Sequence, residues 1–356
     1  MCEDADHDHA GHPPVVPAER GAFTGQTVAL EPVDFVSVTT LVDNATDMLL
    51  GDVGPARRPE LGRGHWRANP FAEGGSTPEV PVAEHGFSAL VEVTEASGSV
   101  RRILFDTGVT PDGMVENMAR LDIDPSDVEV VVCSHGHFDH TTGFDGLVRR
   151  VGRRNLPVFV HPEFWSRRRI AIPGRDALEL PTPSRRALGE AGFDIIERPE
   201  PSFLLGGSVL ITGEVPRTTE FETGLRFHEA LRSGRWEPDP LILDDQALVV
   251  NVRDKGLLVL TGCGHAGIVN IVRYARHLTG VDSVLAVMGG FHLAGPAFEP
   301  IIPLTVAALA ELRPGVVLPA HCTGWRAHVA LAGRLGEAYV PNSVGTRVEL
   351  SAYEEV

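Results

Sequence analysis

Basic charge, paired cysteines and long apolar runs are all scarce in this sequence. The formal net charge is −17 over 356 residues, which disfavours nucleic-acid binding because phosphate backbones require clustered Lys and Arg. The four cysteines show no disulfide-like spacing, so we expect free thiols and a reducing compartment. No apolar run reaches transmembrane length, and the acidic N-terminus lacks the basic-then-apolar order of a secretory signal. The sequence therefore predicts a cytoplasmic protein with no membrane or nucleic-acid partner.

The first 26 residues differ in composition from the rest of the chain. They hold His7, His9 and His12 among acidic residues and prolines, with little apolar content. This composition predicts a flexible leader over residues 1–26, whose histidines bind metal at most adventitiously. Residues 27–356 are expected to form a single domain, with two domains as the alternative. A chain with 43% hydrophobic residues can bury a substantial core without cross-links.

The most specific stretch lies at residues 135–140, where three histidines and one aspartate occur together. It follows an apolar, β-branched run at 128–133 that predicts a buried strand ending in a loop. His135 and His137 are two residues apart, so on extended backbone they point the same way. Asp139 and His140 come after a turn and can serve a second centre. Imidazole and carboxylate are ligands that zinc accepts, so a metal site is favoured over a solvated His-rich loop.

The H-x-H-x-D-H pattern after an apolar strand resembles the signature of the metallo-β-lactamase fold superfamily. The resemblance implies an α/β fold, an αββα sandwich of two mixed sheets flanked by helices, with a one- or two-metal site at one sheet edge. Three segments resemble sequences of one branch of this superfamily, which includes dihydropterin-ribofuranosylaminobenzene-phosphate synthase-like proteins. They are 41–44 (LVDN), 213–217 (GEVPR) and 289–293 (GGFHL). The resemblance covers about residues 33–350.

The sequence departs from the common superfamily pattern between residues 170 and 245. Most relatives carry a metal-binding histidine in a T-x-G-H-like turn here, whereas this chain has Thr212, Gly213 and Glu214. The strands expected in this region are two short ones, near 194–198 and 203–212.

We expect His265 to replace the missing ligand. An apolar strand at 256–260 ends in T-G-C-G-H-A-G ahead of a predicted helix at 268–278, which delivers His265 into a glycine-rich turn. Cys263 in the same turn is either a ligand or a buried core thiol. His161, at the end of another predicted strand, is the alternative ligand.

Two later predicted strands also end in histidines, namely His292 after 281–288 and His321 after 315–318. Strand ends meet at one edge of an open α/β sheet, so these residues are expected near the cluster. The resemblance implies that His321 closes the second metal site. His292 is predicted to handle substrate or a proton, with a structural role as the alternative. Asp106 is expected either to orient the metal-binding loop, as the resemblance implies, or to cap the next helix.

The resemblance implies a metal-dependent hydrolase that uses a metal-activated water. Zinc is the expected metal, as one or two ions, with Mn²⁺ or Fe²⁺ as alternatives. A transferase like the dihydropterin synthase and a non-catalytic metal-binding sensor stay open as other functions. The partner is expected to be a small molecule, anionic if the basic triplet at 167–169 contacts it, and oligomerisation is left open. The predicted metal ligands are His135, His137, Asp139, His140, His265 and His321, and the predicted catalytic residues are Asp139, which would orient the water or accept its proton, and His292.

Overall fold

The computed structural model of the protein describes residues 27–60, 65–95 and 98–353. The leader predicted over residues 1–26 lies outside the described residues. The strands are β1 (Phe35–Val42), β2 (Ala56–Arg57), β3 (Trp66–Ala68), β4 (Ser76–Pro78), β5 (Ser88–Thr94), β6 (Val100–Phe105), β7 (Val130–Val132), β8 (Leu156–Val160), β9 (Arg168–Ile170), β10 (Leu178–Glu179), β11 (Phe193–Glu197), β12 (Ser202–Leu204), β13 (Val209–Ile211), β14 (His228–Arg232), β15 (Arg235–Pro238), β16 (Leu248–Val252), β17 (Gly256–Thr261), β18 (Val284–Gly290), β19 (Val316–Ala320) and β20 (Arg347–Ser351).

The helices lie between these strands and after them. They are α1 (Gly113–Arg120), α2 (Phe138–Thr141), α3 (Phe144–Val151), α4 (Arg185–Ala191), α5 (Ile268–Thr279), α6 (Ile302–Leu312) and α7 (Trp325–Leu335), with short 3₁₀ turns at Pro125–Asp127, Pro162–Trp165, Leu205–Gly207, Glu299–Ile301, His321–Thr323 and Gly336–Ala338. None of the helices in the described ranges combines the length and the apolar character needed to cross a bilayer.

Two mixed sheets form the centre of the molecule. The larger has the strand order β11-β8-β7-β6-β5-β1-β20-β2, and the smaller has the order β12-β13-β16-β17-β18-β19. Valine-rich strands such as β1 and β16 are buried along nearly their whole length, as expected for strands covered on both faces. One core cluster joins Val38, Val91 and Phe105 of the larger sheet to Val250, Leu260 and Met288 of the smaller sheet, so the two sheets pack face to face.

Helices cover the outer face of each sheet. α1 and α3 pack on the larger sheet through Met114, Met118 and Leu147. α5, α6 and α7 pack on the smaller sheet through residues such as Ile271 and Leu309. This layering is an αββα sandwich, so the fold class predicted from the sequence is confirmed.

A four-stranded antiparallel sheet of order β10-β9-β14-β15 forms a separate layer, which we call the small sheet. The sequence prediction missed it. The two short strands that were expected between residues 170 and 245 appear as β11, β12 and β13. The strands of the small sheet were missed because they are short and polar, as in the sequence RWEP of β15, and carry little apolar alternation.

Parallel pairing brings several strand ends to one edge of the sandwich. β17, β18 and β19 run parallel, and so do β6, β7 and β8. The turns that follow β7, β17, β18 and β19 therefore carry the candidate side chains to a common edge.

Candidate metal centre

Tight backbone packing shapes the loop that follows β7. A Cβ at Gly136 would lie 2.1 Å from the carbonyl oxygen of Phe164, so no side chain fits there. The Gly136 N–H donates to Asp244 Oδ2 at 2.8 Å. This close approach fixes the extended backbone on which His135 and His137 project in the same direction.

Three imidazole nitrogens from two loops converge on one point. His135 Nε2 lies 3.0 Å from His137 Nδ1, and His265 Nε2 lies 3.1 Å and 3.2 Å from those two atoms. Burial lowers the pKa of all three rings well below its usual value, so they are neutral at pH 7. Three nitrogens aimed at one point cannot satisfy one another by hydrogen bonds. A tetrahedral ion bound at about 2.0–2.1 Å separates its nitrogen ligands by roughly 3.3 Å, so these atoms fit a metal ion.

A second group of ligand atoms lies beside the first. Asp139 Oδ2 is 3.2 Å from His321 Nε2 and 3.8 Å from His140 Nε2. His140 Nε2 is in turn 3.2 Å from Cys263 Sγ, and the four ligand atoms all lie within 4.8 Å of one another. His321 Nε2 is buried and lies close to Asp139 Oδ2, but no well-aligned hydrogen bond joins it to the described residues, so its lone pair is available to a metal ion. The structure therefore brings all six predicted ligands into two adjoining groups.

Cys263 belongs to both groups. Its sulfur lies within 4.8 Å of the ligand atoms of His135 and His265 as well as those of Asp139, His140 and His321. Burial raises the pKa of the Cys263 thiol, whereas a bound cation would favour the thiolate. The sulfur stands where it could bridge two ions, one of the two roles left open for it by the sequence.

The electrostatics of the second group favour positive charge. Burial opposes ionisation of Asp139, but His140 and His321 hold its pKa below its usual value. Burial also opposes the charged form of His140. The carboxylates of Asp106 and Asp139 outweigh this effect of burial and raise the pKa of His140 to about 9. Two carboxylates thus attract a cation to this position, and a metal ion would take the place of the proton on His140.

Asp106 supports both the loop and His140. Its Oδ1 accepts from the Ser134 N–H at 2.7 Å, and its Oδ2 accepts from the Ser134 hydroxyl at 2.7 Å. His140 Nδ1 also lies 2.7 Å from Asp106 Oδ2, which leaves His140 Nε2 directed at the ligand group. α1 begins at Gly113 with Asp112 as its N-cap, so Asp106 orients the metal-binding loop and does not cap that helix.

The LVDN segment holds His321, a contact that the sequence did not predict. Asp43 Oδ1 accepts from the His321 N–H at 2.7 Å, and Asn44 Oδ1 lies 3.1 Å from His321 Nδ1. The Asn44 side-chain amide also donates to the His321 carbonyl at 3.0 Å. These bonds restrain His321, whose φ of 47° is unusual for a residue other than glycine.

The segment at 244–246 ties the two ligand loops together and was also missed. Asp244 accepts from Gly136, as described above, and Asp245 Oδ2 accepts from the Ala266 N–H at 2.8 Å. The Gln246 side chain donates to the Cys133 carbonyl at 2.9 Å. Burial raises the pKa of Asp245 to about 6. Adjacent aspartates are a weak sequence signal, because only the fold shows that each one reaches a different loop.

The GEVPR region, which lacks the usual histidine, has a structural role. Arg217 donates to the carbonyl oxygens of Val215 and Leu241. A few residues later, Glu222 accepts from the N–H groups of Val269 and Asn270 at 2.9 Å each, at the start of α5. A carboxylate at a helix N-terminus is stabilising, so this region fixes the helix that follows His265.

Four further histidines lie at or near the candidate site. His292 lies with its ring centroid 4.4 Å from that of His265, and it forms a third group with Cys263 and Cys322. His85 Nε2 is 4.0 Å from Asp139 Oδ2 at the exposed rim. His161 belongs to none of the groups found among the described residues, because its Nδ1 accepts from the Glu163 N–H and its Nε2 faces Glu214 at 3.3 Å.

His228 is the fourth, and the sequence analysis assigns it no role. It lies at the start of β14 with its ring centroid 5.2 Å from that of His137. Burial, with a contribution from His292, lowers its pKa to about 4, so the ring is neutral at pH 7. Its Nδ1 is buried without a partner among the described residues. A buried lone pair without a donor costs less free energy than a buried N–H without an acceptor. The unpaired Nδ1 is therefore assigned the lone pair, and Nε2 carries the proton.

The ligand groups open into a cavity of about 290 Å³, which we call the metal cleft. Asp139, His265 and Cys263 form part of its floor, and Ile170 and His228 of the small sheet form part of its wall. The two loops and the small sheet thus enclose a space for a small molecule above the candidate ligands.

Comparison with known proteins agrees with this geometry. The family model described as "Metallo-beta-lactamase superfamily" matches residues 85–278. A 7,8-dihydropterin-6-methyl-4-(beta-D-ribofuranosyl)-aminobenzene-5'-phosphate synthase of Methanocaldococcus jannaschii is 32% identical over 255 residues, which cover 69% of this chain and 83% of that protein. An uncharacterized protein of the same organism is 31% identical over 70% of this chain and 88% of its own length.

One solved structure is similar over nearly the whole fold. The crystal structure of a metal-dependent hydrolase of the beta-lactamase superfamily superposes with a TM-score of 0.65 at 23% identity, covering 89% of this chain and 99% of that chain. At this identity the similarity shows a shared fold.

Proposed function

Because this chain belongs to the metallo-beta-lactamase superfamily, we propose that it is a metal-dependent hydrolase of a small-molecule substrate. The observation that carries the proposal is the convergence of six predicted ligands, together with Cys263, into two groups at one sheet edge. His135, His137 and His265 would hold one ion, and Asp139, His140 and His321 would hold a second, with Cys263 between them. Zinc suits this mixture of nitrogen, oxygen and sulfur ligands.

When bound, such ions would lower the pKa of water from 15.7 to roughly 7 and polarise the bond to be broken. The residues of the chain supply the remaining functions. Asp139 lines the metal cleft, where its carboxylate can accept a hydrogen bond from the attacking water and orient it. His292 lines the same cleft, where its imidazole can donate a proton to the leaving group. His228 also lines the cleft, where a ring N–H can hold an oxygen that gains negative charge.

A transferase is the second candidate, because the 32% identical relative is named as a synthase of a dihydropterin-linked aminobenzene phosphate. Such a reaction would use the same cleft to bring two organic molecules together. The result that would identify it is phosphate-dependent capture of a dihydropterin. Hydrolysis by water cannot produce this result.

Metal content and turnover test the proposal together. We expect purified protein to carry about one to two equivalents of transition metal by elemental analysis. With zinc, manganese or iron added, one of the thioester, lactone or phosphodiester substrates should be hydrolysed. Metal below roughly a tenth of an equivalent after metal-replete expression contradicts the proposal. Metal without hydrolysis, together with capture of dihydropterin, would establish the transferase instead.

The substitution His292→Ala separates reaction from metal binding. It should leave metal content and the melting temperature unchanged while kcat/KM falls by at least about tenfold, since general acid catalysis contributes about a hundredfold to ten-thousandfold. Loss of metal would make His292 a ligand, and unchanged turnover would assign it a structural role.

A further inference from the structure

A second cavity adjoins the metal cleft, and nothing in the proposed reaction uses it. Its volume is about 210 Å³. We call it the side cavity, lined by Phe221, Arg226, Phe291, Leu293, Phe298 and Ile301 among others. A cavity of 150 Å³ lined by apolar side chains binds benzene, so the side cavity is large enough for an aromatic ring.

The side cavity is continuous with the metal cleft. Leu225, Arg226, His265, His292, Ala297 and Phe298 line both spaces. Phe298 stands at the junction with its ring centroid 4.7 Å from that of His292, at an interplanar angle of 85°. A substrate with its reacting bond over the ligand groups can therefore extend past His292 into the side cavity.

The lining favours a flat apolar group. Phe291 and Leu293 are each 2% exposed, so their positions are fixed by the core and do not depend on a ligand. Aromatic rings that meet at an edge or with an offset gain about 0.5–1.5 kcal/mol beyond the area they bury. Three phenylalanine rings around one space thus favour an aryl group over an alkyl chain of similar size.

Arg226 gives the two spaces a positive charge at their junction. The neighbouring arginines are engaged, since Arg168 pairs with Asp239 and Asp244, and Arg232 pairs with Glu163 and Asp239. Arg226 forms no ion pair or hydrogen bond within the part of the chain that the structure describes, and it is exposed.

The acidic residues of the side cavity do not neutralise Arg226. Both oxygens of Glu222 accept from the start of α5, and Glu220 has an interaction of its own. In a chain with a net charge of −17, an unpaired guanidinium over an active cleft is suited to an anionic ligand group.

We propose that the side cavity is a substrate subsite that holds an aryl group, while Arg226 pairs with a carboxylate or phosphate attached to that group. This inference rests on the proposed function, because it places the reacting bond of the same substrate over the metal ligands. Its test measures binding, so absence of hydrolysis does not affect the result.

Binding of two non-hydrolysable phosphonates to the protein as purified tests the subsite. Benzylphosphonate and methylphosphonate carry the same anionic group and differ by the ring. Isothermal titration calorimetry should give at least about tenfold tighter binding for benzylphosphonate, because its ring leaves water to pack against the phenylalanine side chains of the side cavity. Benzoate compared with acetate repeats the test for a carboxylate and shows which anion the subsite prefers.

Two substitutions, each with a matched control, locate the effect. Ile301→Trp fills the side cavity and should remove the preference for the ring, whereas Leu304→Trp, on the exposed face of α6, should keep it. Arg226→Gln should weaken benzylphosphonate binding by about fivefold or more, and Arg235→Gln, an exposed arginine of the small sheet, should not. Equal affinities of wild-type protein for the two phosphonates would overturn the proposal, and so would a ring preference that survives Ile301→Trp.

Discussion

The loop at 134–143 and the small sheet meet at the metal cleft, and they differ in how their structure is encoded. The loop is recognisable from neighbours in sequence, with the buried strand β7 before it and α2 within it. The small sheet pairs β9 with β14 across about 60 residues of chain, Arg169 lying opposite Glu229. One region can be read from a short motif, whereas the other exists only through distant pairing.

The basic triplet shows what distant pairing adds. From the sequence alone, residues 167–169 are predicted either to contact an anionic substrate or to form a solvated face. In the structure, successive side chains at the start of β9 point to opposite faces, so the three arginines are divided between two environments. Arg167 and Arg169 lie beside Trp236 and pair with Glu179 and Glu229. Arg168 points the other way, is 2% exposed, and pairs with two aspartates.

The largest expected effect concerns His265, which is predicted to replace the histidine ligand that most relatives carry in another turn. His265→Ala removes one of three converging nitrogens, so we expect the protein to lose about one equivalent of metal. His161→Ala is the matched control, because its ring bonds within its own turn and should leave metal content unchanged. Elemental analysis after dialysis decides between them. Full occupancy in His265→Ala, with loss in His161→Ala, would transfer the role to His161.

The next prediction tests whether the small sheet supports the loop. Asp244 accepts from both Arg168, at 2.6 Å, and the Gly136 N–H, at 2.8 Å. Arg168→Met would leave Asp239 and Asp244 buried without this cation, which costs about 3–5 kcal/mol of the free energy of unfolding. Because the His135–His137 loop loses its anchor, metal affinity should also fall by about 10–100-fold. Urea unfolding and metal competition measure the two effects.

Arg169→Met provides the control within the same strand. Its partner Glu229 is partly exposed, so the substitution should cost about 1 kcal/mol or less and leave metal affinity unchanged. Similar losses in both variants would mean that the triplet stabilises the small sheet alone, with no connection to the loop.

The fold class could be predicted because the H-x-H-x-D-H motif resembles a known superfamily, and the grouping of the candidate ligands because apolar strands that end in histidines are local signals. It could not supply the contacts that hold those ligands. Asn44 reaches His321 across 277 positions, and Asp244 reaches Gly136 across 108. Such partners are ordinary polar residues whose role depends on the final packing. His228 was missed for the same reason, since only the pairing of β14 with β9 carries it to the cleft.

The smallest expected effect is a pH dependence of stability that His228 contributes. Burial lowers the pKa of His228 to about 4 from a model-peptide value of 6.5, so the folded protein binds a proton there less readily than the unfolded chain. Above pH 6.5 neither state is protonated and the residue adds no pH dependence. As pH falls from 6.5 toward 4, the unfolded chain gains the proton first and stability decreases.

The cost from this residue should reach about 2 kcal/mol by pH 5. His228→Gln keeps a polar side chain of similar reach but cannot titrate, so its free energy of unfolding should fall less than that of the wild type between pH 7 and pH 5. The difference between the two proteins isolates His228, because the other buried groups, including Asp245, are common to both. Urea unfolding at several pH values measures it. Parallel pH profiles would show that His228 is not held in a buried, neutral state, and that the small sheet does not close over the metal cleft in solution.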